Sequence, residues 1–96
     1  MVTHAPAGFA VPTRVASPLR SYTEGLAVVE ARGTTVREAL ADLDRRYPGM
    51  RFRMIDEQDR IRPHIRLYVD TRPVLELDQP IEAGATLHLI CALSGG

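Results

Sequence analysis

One helix signal stands out in an otherwise strand-like chain, and it limits the folds open to these 96 residues. Thr35-Val36-Arg37-Glu38 reads as a capping box, the Thr35 hydroxyl accepting from the N3 amide and Glu38 reaching back to the cap. Val36, Ala39, Leu40, Leu43 and Tyr47 follow at the spacing of a single buried stripe. Arg37, Asp42, Asp44, Arg45 and Arg46 fall on the expected wet face, with Asp42 placed to pair with Arg46. Pro48-Gly49 stops the helix. At about 1.5 Å per residue it is long enough to cross one small sheet.

The flanks alternate at period two. Phe9, Val11, Thr13 and Val15 share one face of a strand whose Pro12 lacks a donor, which suits an edge or bulge. Ala16 to Thr23 reads as a loop, and Gly25 to Ala31 as a second strand closed by Gly33. Met50 to Ile55 is ambiguous between helix and strand, and residues 56–60 form a polar turn. Ile65, Leu67 and Val69 face one way, with His64, Arg66 and Tyr68 facing the other. Thr71-Arg72 turns the chain into a short strand, Pro73 to Glu76. A last strand runs from Thr86 to Leu93. Two hairpins around one helix plus a terminal strand fit an α+β layer pair, one small sheet covered on one side. The expected core is Val11, Val28, Leu40, Leu43, Ile65, Leu67, Val69, Leu87 and Leu89. The uncovered sheet side would carry Tyr68, His88, Ile90 and Phe52, apolar enough to mark a partner site. Residues 1–8 read as a flexible lead, 9–93 as the domain and 94–96 as a tail.

Composition excludes more than it assigns. Twelve basic and twelve acidic residues cancel, so the electrostatic footprint of a nucleic-acid binder is missing. One cysteine rules out an internal disulfide framework and four-cysteine metal sites. No apolar run is long enough for a membrane span and no leader is visible, so the expectation is a cytoplasmic protein with no membrane partner. His88 and Cys91, three apart on a strand, point to opposite faces and cannot grip one ion, so no metal site is expected. Cys91 lies in an apolar strand, where burial raises a thiol pKa and argues against a nucleophile. Nucleotide-binding and hydrolase motifs are absent. The arginines at 45, 46, 51 and 53, interspersed with Asp42 and Asp44, read as a solvated face. All twelve basic residues are arginine. Genome composition accounts for that, and so does a chain that avoids amines near an activated acyl group.

The sequence ends Ala92-Leu93-Ser94-Gly95-Gly96 directly after a strand. Glycines without Cβ atoms suit a backbone that threads a narrow channel, and Leu93 to Gly96 fully extended reach about 13 Å. With this order of elements, the stretch from Asp56 to Asp70 and the closing Leu93-Ser94-Gly95-Gly96, the chain resembles the prokaryotic ubiquitin-like sulfur carriers of the molybdopterin, thiamine and cysteine pathways. The similarity covers Phe9 to Gly96. It departs at Asp70-Thr71-Arg72, where family members often carry an Asn-Gly-like turn, and in the long lead before Phe9.

The resemblance implies an α+β, β-grasp fold, a mixed sheet of four to five strands packed on one helix, and a protein cosubstrate rather than an enzyme. An E1-like adenylating enzyme would use ATP to convert the Gly96 carboxylate to an acyl adenylate and then a thiocarboxylate. The sulfur would pass to a sulfur-accepting biosynthetic enzyme. No cofactor would be bound by the chain itself. Gly95 and Gly96 would thread, Leu93 and Ser94 align the tail, and Tyr68, His88 and Ile90 dock the body. A ubiquitin-like conjugation tag and a non-reactive β-grasp interaction module remain the alternatives.

Overall fold

The computed structural model describes residues 8–92. Residues 1–7 of the expected lead at 1–8, Leu93 of the expected domain and the whole expected tail, Ser94-Gly95-Gly96, lie outside the described residues. Five strands, β1 (Phe9–Val15), β2 (Val28–Gly33), β3 (Ile65–Val69), β4 (Arg72–Pro73) and β5 (Leu87–Cys91), form one sheet in the order β2-β1-β5-β3-β4. Only β1 and β5 run parallel; the other three pairings are antiparallel. Helix α1 (Val36–Arg46) covers one face and a short α2 (Met50–Met54) follows it. A mixed sheet grasping one main helix is the β-grasp arrangement.

Helix α1 forms as its residues dictate. Thr35 Oγ1 accepts from the Glu38 amide at 3.2 Å. Glu38 reaches one residue further back than the cap, accepting from the Thr34 amide at 2.7 Å and the Thr34 hydroxyl at 2.9 Å. The Val36 and Arg37 amides donate to Gln79 O and Leu77 O at 3.1 and 2.8 Å. The loop after β4 thereby satisfies helix-start donors that would otherwise be orphaned. Val74, Leu77, Ile81 and Ala85 from that loop enter the core, which period-two reading of the strands does not expect.

Eight of the nine expected core residues are buried, and Val28 is the exception at 49% exposed. β2 turns Val29 and Ala31 inward, so Val28, Glu30 and Arg32 share the open side. The four apolar residues Leu26 to Val29 hide this parity, whereas the charges at 30 and 32 display it. The strand also begins at Val28 rather than Gly25, and β4 is only two residues long. Leu19, Met50, Met54 and Ile55 complete the core from the connecting segments.

Two further expectations are corrected. Asp42 is buried, not on the wet face. Its carboxylate accepts from the Arg32 amide at 3.0 Å, pairs with Arg46 at 2.8 Å and also with Arg45. Pro12 lies on an interior strand, yet costs no ladder bond. Val15 N–H donates to Ala27 O and Ala16 N–H to Leu89 O, so alternate residues address β2 and β5. The donor missing at Pro12 falls on the β5 side, where pairing begins only at Thr13.

Candidate functional site

Strand β5 lies between β1 and β3, tied on both sides. The last described bond along it runs from the Ala92 amide to His64 O at 2.7 Å. The described chain therefore ends at a root fixed in the middle of the sheet. Gly95 and Gly96, with Leu93 and Ser94, continue from that root outside the described residues.

The open face of the sheet brings together three of the four residues expected there. Tyr68 pairs directly across from His88, and Arg66 across from Ile90, on the side away from α1. Ile90 is 39% exposed, while Tyr68 and His88 are half-buried. Arg14 pairs with His88 from the other flank and with Val28 beyond it. The face thus carries an apolar strip of Ile90 and the Tyr68 ring beside His88, with Arg66 across from Ile90 and Arg14 separating His88 from the outlying Val28. Phe52 does not join it. It stands on α2, 60% exposed, with the Arg62 guanidinium 4.5 Å from its ring centroid.

Of the predicted surface arginines, Arg45 and Arg46 are held by Asp42, and Arg51 by Asp59 at 3.0 Å. Arg53 forms no ion pair among the described residues. Cys91 faces inward opposite Ile65, whereas His88 faces outward. Burial pushes the Cys91 thiol above its usual range, and the charge of Arg53 offsets part of that shift. Among the described residues no three His, Cys, Asp or Glu side chains lie together as metal ligands. No helix there is long and apolar enough to cross a membrane. The described open face carries the Tyr68 ring, the His88 imidazole and the Ile90 side chain with the Arg14 and Arg66 guanidinium groups.

The comparisons agree with this geometry. A model of the ThiS family matches residues 14–96. A chain in the crystal structure of the Amycolatopsis orientalis BexX/CysO complex superposes with a TM-score of 0.83 at 31% identity, covering 90% of this chain and 99% of that one. Mycobacterium tuberculosis CysO, described in its structure as an antigen, gives 0.81 at 25% identity over 86% and 99%. SAMP1 from Haloferax volcanii shares the fold at 0.76 and 22% identity, over 92% and 100%. A comparison with curated protein sequences gave no match. The family match spans most of the chain and the fold matches span most of both chains compared, so the protein belongs to the ThiS family, the prokaryotic ubiquitin-like sulfur carriers, which are small carrier proteins rather than catalysts.

Proposed function

We propose that this chain is a sulfur carrier whose reacting group is the Gly96 carboxylate. An E1-like adenylating enzyme binds the body and ATP. A carboxylate oxygen attacks the α-phosphorus and pyrophosphate leaves, giving an acyl adenylate. A sulfur donor then attacks the acyl carbon, AMP departs with the bonding electron pair, and a Gly96 thiocarboxylate remains. A biosynthetic enzyme accepts that sulfur. The chain contributes reach and recognition and no acid, base, metal or bound cofactor. Gly95 and Gly96 pass through a narrow channel because neither carries a Cβ. Leu93 and Ser94 align the segment, and Tyr68, His88 and Ile90 dock the body.

The observation that carries this reading is the family match running to residue 96, through a terminal Gly-Gly that follows the strand anchored at Ala92. Protein partnership is supported by the similarity to a chain of the BexX/CysO complex. The absence of lysine leaves an activated Gly96 no side-chain amine of its own chain to condense with. The test is intact-protein mass after incubation with the adenylating enzyme, ATP and sulfide. Exchange of one oxygen for sulfur at the last residue is expected, and removal of Gly96 should abolish it without altering the melting transition. A chain joined to other proteins through new amide bonds would identify a conjugation tag instead. No ATP-dependent change of mass would leave a non-reactive interaction module.

A further inference from the structure

A cleft of about 390 Å³ opens beside the root of the final segment, lined by Tyr22, Phe52, Arg53, Arg62 and His64. It is assembled from the loop after β1, from α2 and from the approach to β3. His64 ties it to the root, since its carbonyl accepts from Ala92. Arg53 ties it there too, because its charge is felt at the Cys91 thiol.

Three features distinguish this cleft from an ordinary solvated corner. First, Phe52 and Arg62 are held ready. Arg62 Nε donates to Phe52 O at 2.7 Å and the Arg62 amide to Met54 O at 2.9 Å, so the guanidinium stays over the ring. An exposed aromatic under a fixed cation presents apolar area and charge together. Second, neither Arg53 nor Arg62 forms an ion pair among the described residues, a state they share with Arg14, Arg20, Arg32 and Arg66, and here the two charges line one cleft. Asp56, whose carboxylate feels Arg62, already accepts from the Gln58 and Arg60 amides. Third, His64 Nε2 is buried with no hydrogen-bond partner, a state that buried polar atoms seldom keep.

We propose that this cleft is a second docking surface, separate from the open sheet face, and that it receives an acidic rim around the channel through which the activating enzyme takes Gly96. Whatever holds Gly96 must lie within the span of four residues, about 13 Å, of the cleft's own edge. The rim of that channel therefore lies within reach of Arg53, Arg62 and His64. Carboxylates there complete two unpaired guanidinium groups, and an apolar side chain covers Phe52. Charges at such an edge act mainly on encounter and register.

The inference rests on the sulfur-carrier reading, and the experiment separates the two. ATP–pyrophosphate exchange is measured with an E1-like adenylating enzyme while the carrier is titrated. The Arg53 side chain makes no hydrogen bond among the described residues. Arg53→Glu therefore reports docking rather than folding. It should raise the carrier's KM by about tenfold or more, leave the rate at saturation unchanged, and flatten the rise of KM with salt expected for the wild type. Phe52→Ala, on an exposed ring, should raise KM without changing the salt dependence. A KM for Arg53→Glu within twofold of wild type, or a wild-type KM insensitive to salt, overturns the acidic-rim proposal while leaving the carrier reading in place. Failure of the wild-type chain to support exchange overturns both.

Discussion

Gly33 shows how one missing Cβ positions everything above it. A Cβ there would lie 2.7 Å from Glu38 Cβ and 2.8 Å from the Ala39 amide nitrogen, inside the first turns of α1. Its φ of 159° is also one that L side chains rarely adopt. The helix can approach the end of β2 only because no side chain stands between them. Gly33→Ala must push the helix off the sheet, and overpacking of this kind costs about 1–3 kcal/mol. Urea unfolding should show a lower midpoint with an unchanged slope. A variant as stable as wild type would mean that α1 is free to lift away. Nothing in the chain's periodicity displays this close approach; the sequence shows a glycine after a strand and no more.

The join between α1 and β2 depends on Asp42. Its side chain is 7% exposed, and it supplies the acceptor for the Arg32 amide while holding Arg45 and Arg46 on the surface. Arg46 also donates to Glu30 O, so helix and strand are linked twice. The arginine partners are well exposed, and ion pairs with exposed partners contribute little. The amide bond should dominate. Asp42→Ala should cost about 1–3 kcal/mol by stranding that donor, while Asp42→Asn, which keeps an acceptor, should cost less than half as much. Equal losses in the two variants would instead assign the stabilisation to charge. Helix α1 itself is legible in the sequence because cap, stripe and stop all lie within fifteen residues of one another. The strand faces follow from alternation wherever polar residues interrupt the apolar ones, and fail at Leu26 to Val29, where none does. Asp42 could not be placed, since its reason is an amide ten residues away. The open face tests the same alternation from the other side. Ile90→Asp puts a charge where a partner should close over the apolar strip, so it should weaken docking to the adenylating enzyme at least tenfold, as expected for a desolvated carboxylate without a partner (about 2 kcal/mol or more). Binding calorimetry with an unchanged affinity would remove Tyr68, His88 and Ile90 from the interface.

Across the molecule, the proposed reactive end is a contiguous stretch that a sequence displays at once, whereas the cleft beside Ala92 is assembled from three segments that only folding brings together. Hydrogen bonds made in the fold, most of them between near neighbours in sequence, also set how it responds to pH. Glu38 accepts from Thr34, Asp56 from the Arg60 and Gln58 amides, and Asp59 from Arg37 and Arg51, and these bonds hold all three carboxyls below the usual carboxylate range. A group whose pKa is lower in the folded state stabilises fully above its unfolded value, about 4, and loses that contribution as pH falls through the folded value. The acid limb should therefore begin near pH 4 and deepen below it. Cys91 works in the opposite direction: burial raises its thiol, so the unfolded chain releases the proton first once pH passes about 8.5. Stability should be level between these limits, falling at both ends for different reasons. Thermal melts from pH 3 to pH 10 measure both limbs at once. Cys91→Ala should flatten the alkaline limb and leave the acid limb in place, and Asp59→Asn should do the reverse in part. An alkaline limb that survives Cys91→Ala would place its origin elsewhere, and a level profile down to pH 3 would mean that the three carboxylates keep in the unfolded chain the bonds they make in the fold.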